Sequence, residues 1–146
     1  YKNTNPKPKN IISGNAHSGD YYLKFHKDNI YGGSFEFIIP DSLIGKKNIY
    51  LKFSSFYKEE SPNSAKKALY TIDISNINGK TLFYKASNIK QVPDEITGQW
   101  RKSETGVKLP LITDQHHSIK LYIWNKEKSN FLIDDFNLDF YEYNQE

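Results

Sequence analysis

Apolar and polar residues alternate with a period of two along most of this chain. Tyr21, Leu23 and Phe25 alternate with Tyr22, Lys24 and His26, and Phe35, Phe37 and Ile39 form a second set that stops at Pro40. Ile49, Leu51 and Phe53 alternate with Tyr50, Lys52 and Ser54; Tyr70, Ile72 and Ile74 alternate with Leu69, Thr71 and Asp73. Ile119, Leu121 and Ile123 alternate with Lys120, Tyr122 and Trp124. Side chains on an extended chain point to opposite faces in turn, so this period predicts half-buried strands rather than helices.

Three further strands follow from their boundaries. Lys80 to Ala86 comes after Asn78-Gly79, a pair that favours the tight turn of a hairpin. Trp100 to Leu109 is a polar strand ended by Pro110, and Asn130 to Tyr143 closes the chain. Ser64 to Ala68 contains good helix formers but is too short to stand alone, and Asp41 to Gly45 reads as one turn. Gly19, Gly32-Gly33, Gly45, Gly79, Gly98 and Gly106 are placed between strands. Eight or nine short strands with turns between them predict an all-β sandwich or barrel.

One domain is expected over residues 11–146. Residues 1–10 are polar and hold Pro6 and Pro8, which predicts a linker or loosely held lead-in. With Tyr in place of Met at position 1, the chain is expected to be a processed or excised piece of a larger protein.

Composition narrows the function classes. Aromatic residues make up 15% of the chain, a load that suits pleated, half-buried surfaces. Arg101 is the only arginine among 20 basic residues and the lysines are scattered. A nucleic-acid binder would show a basic stripe and use arginine for planar recognition, so none is expected. The chain has no cysteine, hence no disulfide or thiolate metal site, and no apolar run long enough to span a membrane.

The last strand carries an anomaly. Asp134 and Asp135 interrupt the apolar run Phe131-Leu132-Ile133 just before Phe136. A buried carboxylate needs a hydrogen-bonding partner, an opposite charge or a metal.

Four segments in order then resemble carbohydrate-binding modules with a galactose-binding-domain-like jelly roll. They are Ala16-His17-Ser18-Gly19-Asp20 before an early strand, Gly98-Gln99-Trp100, Ile119 to Asn125, and Ile133-Asp134-Asp135-Phe136. The style is similar to modules of Bacteroidetes-type secreted or surface proteins. The resemblance implies a jelly-roll sandwich of two antiparallel sheets and a non-catalytic module that tethers a larger secreted or bacterial cell-surface protein to a polysaccharide. A structural or protein-interaction sandwich is the alternative.

It also implies a structural Ca²⁺ held by Asp135 or Asp134 beside Gly19 and Asp20. Hard oxygen ligands, carbonyls included, suit that ion. The other reading is that these carboxylates bind the amides of the neighbouring turn. Family members carry an acid on a strand before that turn, and here no acid precedes Asp20. At the position of Trp100 the family's tryptophan is a packing residue.

Alternation suggests where sugar would bind. Trp124, Tyr122, Tyr50, Lys52 and His26 lie opposite the apolar sets, with Thr71 and Asp73 as neighbours. Flat rings present an apolar surface to the C–H face of a pyranose while polar neighbours orient its hydroxyls. Tyr31-Gly32-Gly33 and Phe56 to Glu60 are placed in loops, where their rings either contact sugar at the sandwich edge or anchor the loops on the sandwich. His116 and His117 are adjacent, so on a strand they point apart and do not share an ion. The chain holds no nucleophile elbow, phosphate loop or paired-histidine zinc motif, and no enzyme is expected from it alone.

Overall fold

The computed structural model describes residues 11–13, 16–19 and 21–142. The expected lead-in, residues 1–10, lies outside them. The described chain forms nine strands: β1 (Ile11–Ser13), β2 (Tyr21–Phe25), β3 (Tyr31–Ile38), β4 (Ile49–Glu59), β5 (Ala68–Ser75), β6 (Thr81–Asn88), β7 (Arg101–Lys108), β8 (Ser118–Asn125) and β9 (Phe131–Glu142). The only helical element among them is one 3₁₀ turn at Asp41–Leu43.

Every pairing is antiparallel, and the strands form two sheets. The first runs β1-β2-β9-β4-β7 and the second β3-β8-β5-β6. This is the all-β fold that the alternation predicts, in the form of the jelly-roll sandwich of two antiparallel sheets that the family resemblance implies. The expected hairpin is present between β5 and β6, where Asn76 Oδ1 accepts the amides of Asn78 and Lys80.

The inward rows make one core. Leu51 and Phe53 from β4 meet Tyr70, Ile72 and Ile74 from β5 and Ile119, Leu121 and Ile123 from β8. Phe53, Tyr70 and Phe136 lie nearly parallel, with ring centroids 5.3–6.1 Å apart. Tyr70 keeps its hydroxyl satisfied by reaching across the sandwich to Ser55 Oγ at 2.6 Å. Burial pushes its phenol pKa above the usual value.

That inward serine explains a wrong expectation. Phe56 to Glu60 is not a loop, since β4 continues unbroken to Glu59. Ser54-Ser55 breaks the apolar rhythm on paper, but Ser55 is an inward residue paired with a tyrosine. Tyr31-Gly32-Gly33 is likewise inside β3 rather than between strands.

Of three register shifts between the described strands, two bear on the core and the site. Phe56 pairs with Asp134 and Ser54 with Asn137, so β9 runs through one residue more than β4. The extra residue is Asp135, whose φ is +51°. Strict alternation would send Asp135 inward and Phe136 outward; the bulge lets Phe136 pack against the core instead. In β3, Gly32 pairs with Ile123 and Phe35 with Leu121, and Gly33 takes φ +61°. The bulges meet across the sandwich, for a Cβ on Gly33 would stand 3.2 Å from Leu23 Cδ1 and 3.8 Å from Phe136 Cδ1.

Gly33→Ala therefore meets a backbone penalty and a crowded neighbour together. It is expected to cost about 1–3 kcal/mol in urea unfolding; an unchanged midpoint would contradict this account of the bulge.

One end of the sandwich is closed by charge. Lys90 and Glu59 are 3% and 2% exposed, with Nζ 2.5 Å from Oε1. Lys90 also bonds the Asp94 carbonyl and carboxylate, Glu59 accepts the Ala65 amide, and Arg101 grips Asp94 through both guanidinium nitrogens. The loops on either side, 60–67 and 89–100, are thereby tied to the end of β4.

Candidate functional site

Each sheet turns one row of side chains outward. On the second sheet, β8 presents Lys120, Tyr122 and Trp124, while its alternate residues Ile119, Leu121 and Ile123 are fully buried. Register fixes their neighbours. Trp124 stands between Tyr31 and Leu69, Tyr122 is paired with Thr71, and Lys120 lies between Glu36 and Asp73. On β6, Tyr84 lies beside Asp73 and Ala86 beside Thr71.

The rings form a contiguous aromatic surface. Tyr31 stacks on Trp124 with centroids 6.4 Å apart and meets Tyr122 edge-on at 5.5 Å. Tyr31 is 59% exposed and Tyr84 49%, while Tyr122 and Trp124 are half-buried. Lys126 lies over the Trp124 ring and Lys120 over Tyr122, each 5.7 Å from the centroid. Burial, reinforced by a hydrogen bond with Tyr84, pushes the Tyr122 hydroxyl up to about 12. It stays protonated and able to donate near neutral pH.

The sequence-derived residue set divides between two faces. Thr71 and Asp73 are neighbours of Tyr122 and Lys120 as anticipated. Tyr50 and Lys52 are not: they lie on β4, in the other sheet, and point outward on the opposite side of the sandwich. There Tyr50 stacks on Tyr141 at 5.6 Å and Lys52 pairs with Glu104 at 2.6 Å. Alternation tells which residues share a side of one strand but not which strands share a sheet.

His26 sits in the turn after β2, where its Nδ1 accepts the Asp28 amide. The Asn125 side chain donates to the carbonyls of His26, Asn29 and Ser129, fixing these loops at the Trp124 end of the face. Tyr84 was not among the sequence-derived site residues, and Tyr31 was read as a loop aromatic at the sandwich edge instead of a strand residue of this face. Tyr31 was hidden by the glycine pair that forms a bulge, whereas the outward position of Tyr84 opposite Phe83 was readable from the period.

The acidic pair holds a turn. His17 Nδ1 is 2.7 Å from Asp135 Oδ2, Ser18 Oγ donates to the other Asp135 oxygen, and the Ser18 amide donates to Asp134 Oδ2. The Asp135 amide donates to Asp134 Oδ1. Despite burial, bonds from Ser18 and His17 hold the Asp135 carboxyl below its usual pKa. The strands' alternation predicts the carboxylates on opposite faces; the bulge brings both to the same turn. Asp20 lies outside the described residues.

A cation at this corner would have to compete with protein partners. All four carboxylate oxygens engage protein partners, two of them backbone amides, and no group of three His, Cys, Asp or Glu converges among the described residues. His17 stacks on Phe56 at 3.5 Å, and Trp100 meets His17 and Tyr22 edge-on at 6.0 and 6.2 Å. This second aromatic cluster packs the turn and the β7 entrance onto the first sheet.

Glu59, in a segment read as a loop, is engaged by Lys90, and Asp94 by Arg101, in the closed end of the sandwich.

Comparison with known proteins places the architecture. No family model matches the sequence, and no curated protein matches it. Solved structures do match. The CBM22-1 xylan-binding domain of Paenibacillus barcinonensis Xyn10C aligns over 92% of this chain and 81% of its own, with TM-score 0.53 and 17% identity. The tandem CBM22-1–CBM22-2 domain of the same protein gives TM-score 0.56 and 19% identity over 90% of this chain and 39% of that one. An arabinose-bound MgGH51 α-L-arabinofuranosidase gives TM-score 0.50 and 17% identity, with 89% of this chain matching 21% of the enzyme. What these proteins share with the chain is the β-sandwich fold.

Proposed function

We propose that the chain is a non-catalytic carbohydrate-binding module that attaches a larger secreted or bacterial cell-surface protein to a polysaccharide through the outer face of the second sheet. One observation carries the reading: Tyr31, Tyr84, Tyr122 and Trp124 lie together on an outward sheet face, with Asp73 and Lys120 among them. Rings so placed can cover the apolar faces of sugar units, and the charged and hydroxyl groups between them can direct the sugar hydroxyls. A fold shared with a xylan-binding domain supports the reading.

The module's contribution would be effective concentration, keeping an attached domain near its polymer. Affinity electrophoresis against a panel of soluble polysaccharides tests it. Retardation by at least one polymer is expected, and free migration of the folded protein through all of them would sink the proposal.

For the Asp134-Asp135 corner we propose hydrogen bonding to the His17-Ser18 turn in place of the resident Ca²⁺ that the family resemblance suggests. EDTA is expected to leave the melting temperature unchanged. A rise with added Ca²⁺ that EDTA reverses would favour the ion.

A further inference from the structure

The proposed glycan face contains one polar group that the fold leaves unsatisfied. Thr71 is on the outward row of β5 with Leu69 and Asp73, yet it is 0% exposed. Its Oγ1 is buried and has no hydrogen-bond partner among the described residues. A hydroxyl shut away from water without a partner is destabilising, and native proteins seldom retain one without a use.

The surroundings suggest the use. Thr71 is flanked by Tyr122 on β8 and by Ala86 on β6. Tyr84 stands one outward position further along β6, beside Asp73, so the outward rows of β8 and β6 place Tyr122 and Tyr84 diagonally on either side of Thr71. β6 is an edge strand and Tyr84 is half-exposed, which leaves its ring free to swing outward. Ala86 then offers only a methyl group beside the threonine.

We propose that Thr71 is the floor of a sugar subsite, covered by the Tyr84 and Tyr122 side chains in the free protein and opened by the hydroxymethyl arm of a hexose. The inference rests on the glycan-binding reading of this face. The equatorial hydroxyls of a pyranose ring radiate near the ring plane and would stay level with the tyrosine rims. The hydroxymethyl arm carries its oxygen one carbon beyond the ring and reaches a recessed partner. A xylopyranose unit has no such arm, so this subsite favours hexose polymers over xylan. A buried hydroxyl left unpaired by the wrong ligand is an effective source of such discrimination.

Affinity electrophoresis and titration with mixed-linkage β-glucan, galactomannan and xylan test the subsite, using wild type, Thr71→Val and Thr71→Ser. The wild type is expected to bind a hexose polymer more tightly than xylan. Thr71→Val, which keeps the shape and removes the hydroxyl, should weaken that binding roughly tenfold. Thr71→Ser should restore it, and the melting temperature of Thr71→Val should equal or exceed that of the wild type. Equal binding by the valine variant, or a wild-type preference for xylan, overturns the subsite while leaving the glycan face standing. A wild type that binds none of the wider polysaccharide panel removes both.

Discussion

Replacing Lys90 with methionine is expected to cost about 3–5 kcal/mol of folding stability. The loss would be a large fraction of what a single domain possesses. The reason is what remains: Glu59, with its side chain 1% exposed, would face the Ala65 amide with its nearest ammonium gone. Burial alone would lower the Lys90 pKa, but the hydrogen bonds to Glu59 and Asp94 outweigh it and hold the group above the usual lysine value. Urea unfolding measures the loss. Lys52→Met, which breaks an equally short but half-exposed pair with Glu104, should change stability little. Similar effects from the two variants would contradict the assignment of the buried network.

The same network sets the acid response. Arg101, first among its partners, holds the Asp94 carboxyl well below the usual carboxylate range. Lys52 and Ser18 with His17 act in the same direction on Glu104 and Asp135. A depressed pKa in the folded state means stability present above the unfolded value, roughly 3.9–4.3, and lost as pH falls toward the folded value. Stability should therefore decline below about pH 5.

Trp124→Ala is expected to weaken polysaccharide binding by about 30-fold, the scale of an aromatic anchor at a binding surface. Trp124 is half-buried against Tyr31 and carries Lys126 over its face, so the variant removes the centre of the aromatic surface. Its core-side neighbours Ile123 and Asn125 are separately buried, and the fold should persist. Tyr50→Ala and Lys52→Ala, on the opposite side of the sandwich, should leave affinity unchanged. Titration with the polymer identified by electrophoresis checks this, and equal losses from both sets would remove the assignment to one face.

Much of this was legible in the chain. The period of two in Ile119 to Trp124 placed Tyr122 and Trp124 outward, and Asn78-Gly79 located the β5–β6 hairpin. Three things were not legible, for physical reasons. Bulges at Gly33 and Asp135 add a residue to one strand only, so they shift the phase of everything beyond them. Ser55 is polar yet inward because Tyr70 reaches it from the other sheet, a contact 15 residues away in sequence. Sheet membership is set by long-range pairing, which separated Tyr50 and Lys52 from Trp124 despite their identical local pattern. Thr71 shares the last problem: its direction followed from the period, but its lack of a partner depended on strands on either side.

The chain has two tryptophans, one on each side of the sandwich: Trp124 on the second sheet's outer face, and Trp100 against Tyr22 and His17 on the first. Their indole N–H signals in a heteronuclear NMR spectrum, assigned with Trp124→Ala, report separately on the two faces during a glycan titration. The account predicts that the Trp124 signal shifts and saturates while the Trp100 signal stays in place. A Trp100 signal that moves alone, or binding that moves neither, would contradict it.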